Sequence, residues 1–256
     1  IATPPASHEE YTLAALQAGK PVYVEKPMAP GYAAAARMAG AAADARVKLV
    51  VAHYRRAQPL FRKVKQLLAD KAIGQPLLAS LALYKKPLTP EELLQPKTAW
   101  RVDAAVAGGG LFHDLAPHQL DLLYHFFGPV EKACGTAVNQ AGAYAADDMV
   151  AGTILFKSGL VFTGAWCFNA PAGEERDYCE IVGTEGTIRF SIFDHRPVTF
   201  TVNGKTTGFS FDVLPHVQQP MIESVVDYFL DKGPNPCPAA EGVEVMRLID
   251  RFTTKT

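Results

Sequence analysis

The hydrophobic rhythm of the chain changes at His53, and that change constrains the fold more than any other feature. Before it, short apolar runs alternate with helical stretches. Pro21-Val22-Tyr23-Val24 and Lys48-Leu49-Val50-Val51-Ala52 have the length and composition of strands buried on both faces. The helix before the first of these begins near Ser7, a good N-cap, with Glu9 and Glu10 in the turn where the helix dipole favours negative charge. It stops at Gly19, a typical C-terminal glycine. A second, alanine-rich helix spans roughly Tyr32 to Ala45. Ile1-Ala2-Thr3-Pro4-Pro5 reads as the end of another strand running into a loop. Strand, helix, strand, helix, strand is a parallel α/β pattern, and three strands make half of a doubly wound sheet.

Beyond His53 the period shortens. Leu60 to Ala69 is an amphipathic helix and Leu77 to Tyr84 a strand. The proline- and charge-rich stretch from Lys85 to Ala107 reads as a loop over a site. After a helix from Gly108 to Leu123, candidate strands follow at Val130–Asn139, Met149–Phe156, Leu160–Phe168, Tyr178–Val182, Thr187–Ile192 and Val198–Val202, with a weak one near Gly208–Phe211. Ser158-Gly159, Gly183-Thr184-Glu185-Gly186 and Asn203-Gly204 are the hairpin turns between them. Helices from Val217 to Leu230 and from Ala239 to Phe252 close the chain. The expected organisation is an α/β unit over 1–53 and an α+β unit over 54–256. The second has a large open, mainly antiparallel sheet covered by helices on one face. Ala151, Thr153, Leu155, Val161, Thr163 and Ala165 alternate across one hairpin on the other face, where a homodimer or homotetramer contact is expected.

Composition removes several classes of function. Lys+Arg 25 against Asp+Glu 26 leaves a net charge of −1, with no basic surplus for a nucleic acid or an anionic membrane. No apolar run reaches the length of a membrane span. Cys134, Cys167, Cys179 and Cys237 are scattered, without a CxxC or a histidine at ligand spacing. That pattern predicts reduced thiols in a cytoplasmic protein and no metal site.

Chemistry concentrates in Gly108–Leu123. Leu111, Leu115, Leu122 and Leu123 fit an apolar helical stripe, and Asp114 and His118, four apart, share a face. A carboxylate beside an imidazole can orient the ring and raise its basicity, as a proton-abstracting site requires. The three glycines would admit a ligand or another backbone closely. Spacing alone fits a capped, packed helix with a surface ion pair better than it fits a site.

The wider pattern changes that balance. Thr3-Pro4-Pro5-Ala6-Ser7-His8, Ala18-Gly19-Lys20-Pro21-Val22, Glu25-Lys26-Pro27, Tyr54-Arg55-Arg56 with Pro59, Ala72-Ile73-Gly74, Trp100-Arg101, Gly108-Gly109-Gly110 with Asp114 and His118, and Val182-Gly183-Thr184-Glu185-Gly186 occur in one order. Together they resemble the Gfo/Idh/MocA oxidoreductases over essentially the whole chain. The resemblance implies that 1–53 is the second half of a Rossmann-type dinucleotide-binding domain and 54–256 the substrate and oligomerisation domain. It implies NAD or NADP as cofactor and a small sugar- or polyol-like substrate. Carried over, His118 is the general acid/base, Asp114 binds substrate and orients the ring, and Lys26 stabilises the oxyanion. Thr3, Pro4, His8, Glu25, Lys26 and Pro27 fall on the cofactor side, and Arg101 reaches cofactor or substrate. His113 is a rival base but points about 100° away on the helix. His53, His125, His195 and His216 read as structural or surface residues, and Asp121 as a cap or a pair within the helices. Trp166, Asn169 and Tyr178 read as ordinary strand residues before substrate contacts.

Members of that family open with a strand and a GxGxxG loop that holds the pyrophosphate. No such loop occurs in the 256 residues, and roughly 60 to 80 residues would carry it. The chain as it stands is therefore expected to bind no nicotinamide cofactor, to be catalytically silent, and to leave one strand of its small sheet as an unpaired edge. An NAD-dependent glycoside hydrolase of the same family and a non-catalytic scaffold are the alternative functions. NAD versus NADP is not decided by these residues.

Overall fold

The computed structural model describes residues 1–254. Its first part runs through α1 (His8–Gln17), β1 (Val22–Val24), α2 (Tyr32–Ala45) and β2 (Leu49–Val51). β1 and β2 pair in parallel, Val22 opposite Leu49 and Val24 opposite Val51. Ile1 extends this ladder: its amino group donates to the Tyr23 carbonyl at 2.7 Å, and the Glu25 N–H donates to the Ile1 carbonyl at 2.9 Å. On the outer side of β2, Val51 N–H donates to the Cys237 carbonyl at 3.2 Å and Val50 bridges Pro238. The outer flank of β2 is thus closed by the chain itself. Ser7 stands at the N-cap position of α1 as expected, but its hydroxyl donates to Thr3 and Pro4 rather than capping the helix.

A 3-10 turn at Tyr54–Ala57 leads to α3 (Pro59–Ala69) and β3 (Pro76–Tyr84). The segment read as a loop is instead three short helices, α4 (Pro90–Leu93), α5 (Pro96–Val102) and α6 (Ala104–Ala107). Pro90 and Pro96 occupy first helical positions, where a missing N–H costs nothing. Thr89 and Glu92 form a reciprocal cap, and Asp103 caps α6. Prolines that looked like breakers are starters. α7 (Gly110–Phe127) follows, then β4 (Val130–Val138), β5 (Met149–Phe156), β6 (Val161–Cys167), β7 (Arg176–Gly183), β8 (Gly186–Phe190), β9 (Val198–Val202), β10 (Lys205–Phe209), α8 (Gln219–Phe229) and α9 (Ala239–Thr253).

The large sheet has eight strands in the order β10-β9-β8-β7-β3-β6-β5-β4. Only β3 and β6 pair in parallel; every other neighbour is antiparallel. β10 begins earlier than the weak signal near Gly208–Phe211, because Asn203 and Gly204, both at positive φ, make a two-residue turn straight out of β9.

Helix α9 packs on β4 and β5, α7 packs on α9 and reaches the sheet through Phe112 against Trp166 and Phe127 against Phe156, and α9 also packs on α2 and β2, tying the two parts together. The fit depends on missing side chains. Gly135, Gly152 and Gly164 are register partners on adjacent strands, and a Cβ on Gly152 would come within 2.5 Å of the Phe252 ring. Phe252 fills that trough against Trp166 and Phe112, all three rings fully buried. Burying each such ring contributes about 1.5–3 kcal/mol.

Candidate active site

Lys26 lies just past the carboxyl end of β1, the end where open parallel sheets bind ligands. Its loop is clamped from below. His8, fully buried, sets Nδ1 3.0 Å from the Pro27 carbonyl and Nε2 2.8 Å from the Thr3 carbonyl. The loop is also approached from the side. Gly108, at φ +92°, seats the α6–α7 turn so close that a Cβ would lie 2.6 Å from the Pro30 carbonyl oxygen. A Cβ on Gly109 would enter the His113 ring, whose Nδ1 lies 3.1 Å from the Gly109 carbonyl. The glycines admit another backbone and a buried ring, and so bring the start of α7 against Lys26.

Asp114 meets Lys26 there. Lys26 Nζ donates to Asp114 Oδ1 at 2.8 Å and to the Asp114 carbonyl at 2.9 Å. Arg101 Nε donates to the other oxygen, Oδ2, at 3.1 Å, its guanidinium lying over the Trp100 ring at 4.4 Å. The Lys26 and Asp114 side chains are each 14% exposed, so the pair is partly shielded and still open to a ligand.

One turn further along α7, His118 is only 4% exposed. Tyr54 and Phe193 set their rings edge-on against it, at 5.2 and 5.8 Å between centroids. Burial holds its pKa well below the ordinary value, and the positive charges of Lys26 and Arg55 push the same way. The ring is therefore neutral near pH 7 and able to accept a proton. Asp114 does not orient it: both carboxylate oxygens are taken by Lys26 and Arg101, and His118 Nδ1 is buried without a partner. Two long cations reach Asp114 more readily than a ring wedged between aromatics.

The remaining sequence-derived residues divide in two. Thr3 and Pro4 are exposed, and Glu25 is half-buried, accepting from Gln218 Nε2 at 2.9 Å and from the Lys26 N–H at 3.2 Å. Pro27 and His8 are buried. His8 in particular is fully enclosed beneath the Lys26 loop, where its ring meets the Pro27 and Thr3 carbonyls. Trp166 is sealed in the core and donates to Gln119 Oε1 at 2.5 Å. Sequence reasoning missed Tyr54, Arg55 and Phe193 as the walls around His118. Tyr54-Arg55 stood within a quoted motif, whereas nothing in the sequence marks Phe193. No group of acidic, cysteine or histidine side chains among the described residues could hold a metal ion.

Comparison with known proteins matches this architecture. Residues 1–53 fit the oxidoreductase family model with NAD-binding Rossmann fold, and residues 61–189 the GFO/IDH/MocA C-terminal domain. Oxidoreductase P35 of Formosa agariphila is 40% identical over 252 residues, 98% of this chain and 77% of that protein. The 1,5-anhydro-D-fructose reductase of Ensifer adhaerens is 32% identical over 203 residues, 77% of this chain and 58% of that protein. Levoglucosan dehydrogenase in complex with NADH and levoglucosan superposes with a TM-score of 0.84 at 22% identity, over 98% of this chain and 75% of that one. Aldose–aldose oxidoreductase from Caulobacter crescentus, complexed with glycerol, gives 0.83 at 20% identity, over 98% and 74%. Both superpositions are likenesses of fold.

Proposed function

The chain belongs to the Gfo/Idh/MocA oxidoreductase family, and we propose that it forms the substrate side of an NAD(P)-dependent dehydrogenase acting on a secondary alcohol of a sugar, polyol or related small molecule. One observation carries this reading: a lysine–aspartate pair 2.8 Å apart at the carboxyl end of a parallel strand, next to a buried neutral histidine. Exposed Thr3 and Pro4 at the same end of the small sheet fit the nicotinamide end of a dinucleotide. That cofactor, when bound, accepts or supplies the hydride. The chain's own residues handle the proton and the charge. His118 takes the hydroxyl proton, and the Lys26 ammonium stabilises the alkoxide that forms. Asp114 keeps Lys26 aimed and offers an oxygen to a neighbouring hydroxyl, with Arg101 giving way as substrate enters. The substrate class is the one named in the relatives, anhydrosugars and polyols.

The test incubates the full-length protein, with its glycine-rich cofactor loop present, with NAD or NADP and a panel of inositols, anhydrosugars, aldoses and dihydrodiols, following absorbance of the reduced cofactor. His118→Ala and Lys26→Ala should each lower kcat by roughly 10²–10⁴-fold. Turnover that survives both substitutions would sink the assignment.

Two further parts of the reading concern the protein's setting. The open face of the large sheet carries Ala151 opposite Ala165 and Thr153 opposite Thr163, small side chains suited to close contact with a second copy. We expect a homodimer or homotetramer by light scattering; a strict monomer at micromolar concentration would count against it. All four cysteines are free, and among the described residues no helix is long and apolar enough to cross a membrane. These features support a cytoplasmic protein with reduced thiols.

A further inference from the structure

Behind His118 lie buried polar atoms that this chemistry leaves unused. His118 Nδ1 has no hydrogen-bond partner, nor has either ring nitrogen of His53 or the hydroxyl of Tyr23. His53 is 1% exposed. A buried polar atom left unpaired costs more than a typical hydrogen bond contributes, so such groups in folded proteins are usually satisfied by protein or by ordered water. Here the orphans share one neighbourhood. Tyr54, the residue after His53, is the ring packed edge-on against His118. His53 Nδ1 lies 4.0 Å from Asp121 Oδ1, and Asp121 follows His118 by three residues on α7, which places the two on one face. Burial raises the Tyr23 pKa, with Glu25, Cys237 and Tyr54 adding to the shift, and the backbone of His53 bonds Cys237.

We propose that an ordered water sits between His118 Nδ1 and His53 Nε2 and fixes the tautomer of the base, making His53 a positioning residue for the reaction. The water accepts the Nδ1–H of His118 and donates to Nε2 of His53. The Nδ1–H of His53 then faces Asp121, whose carboxylate is held by Arg56 Nε at 3.1 Å. A neutral imidazole carries a single hydrogen, and placing it on Nδ1 leaves the Nε2 lone pair free for a substrate hydroxyl. When Nε2 takes that proton, the Nδ1–H stays on the water, and no further proton needs to move. The charged groups that act on His118 are Lys26 and Arg55, both cationic, and Asp121 faces His53 on its other side. Asp114, the carboxylate that helical spacing had suggested as the partner of His118, is committed to Lys26 and Arg101.

The inference rests on His118 being the base, and its test separates the two. The full chain labelled with ¹⁵N-histidine reports the His118 tautomer by NMR near neutral pH without any need for turnover. The expected signal is a protonated Nδ1 and a bare Nε2. His53→Phe, which can neither donate nor accept, should move His118 to mixed tautomers; His53→Gln, which can still bond the water, should restore the wild-type pattern. In the dehydrogenase assay His53→Phe should lower kcat on the order of ten-fold, leave KM unchanged and shift the pH profile, with His53→Gln recovering most of the loss. A wild-type His118 carrying its hydrogen on Nε2 overturns the proposal and requires no variant to fold. So does a His118 signal unaffected by His53→Phe. A tautomer that follows His53 while His118→Ala retains full activity would uphold the water and remove the base.

Discussion

Two aspartates on α7, seven residues and about two turns apart, each bind an arginine; Asp114 also holds Lys26, and Asp121 faces His53 at 4.0 Å. Their surroundings set them to opposite tasks. Asp121 is 1% exposed and holds Arg56 through both oxygens, with Arg56 also reaching Glu241 on α9 at 2.6 Å. Burial alone would lower the Arg56 pKa, but Asp121 and Glu241 more than offset it and the group is held further toward its charged form. Asp114 binds cations whose chains are long and partly solvated, at a surface a ligand can reach. A charge pair sealed on every side is a latch between elements. A pair of the same chemistry left ajar is a set of hydrogen-bonding groups that a substrate can exchange. Burial, more than residue type, separates structure from site on this helix.

The largest expected effect breaks that contrast directly. Asp121→Ala leaves the Arg56 guanidinium buried without its main partner and should cost about 3–5 kcal/mol in urea unfolding. Asp114→Ala removes a partly solvated pair and should cost about 1 kcal/mol or less, while lowering activity sharply. Equal losses of stability from the two substitutions would mean that the difference in burial carries no energetic weight.

How much of this was legible beforehand follows the range of the interactions. Local signals read well: α2 has the bounds that its alanines suggested, and Ser158-Gly159 and Asn203-Gly204 turn hairpins as their residues require. The place of β3 between β6 and β7, parallel to one and antiparallel to the other, rests on pairings across the sequence that no local pattern encodes. The helices α4 to α6 were hidden because proline reads as a breaker unless its position within the turn is known. For the site, Lys26, Asp114 and His118 stood out only through a resemblance of motifs. The partner of Asp121 was not readable, since Arg56 sits 65 residues away. The pairing of Asp114 with His118 failed for the same reason: helical spacing says which side chains can meet, and not which competitors arrive from elsewhere.

Acid should sharpen the contrast between the sealed and open parts of α7. Burial holds His53 down to about 4, with Arg56 and Lys26 adding to the shift and Asp121 opposing it. Burial likewise holds His113 at about 4, and His118 moves in the same direction. In the unfolded chain these rings take up protons as the pH falls through about 6.5. In the folded protein His53 and His113 wait until about pH 4. Between those values the unfolded state binds more protons, so stability is full above about pH 6.5 and drains away as the pH falls toward 4. One proton's difference is worth about 1.4 kcal/mol per pH unit. His53 alone should therefore remove about 2 kcal/mol by pH 5. The urea midpoint should fall clearly between about pH 7.5 and pH 5. His113→Asn should start from a lower midpoint and lose less over the same interval, because one titrating ring has gone. A midpoint that stays level would mean that water reaches these rings, and that the Asp121 side of α7 is no more sealed than the Asp114 side.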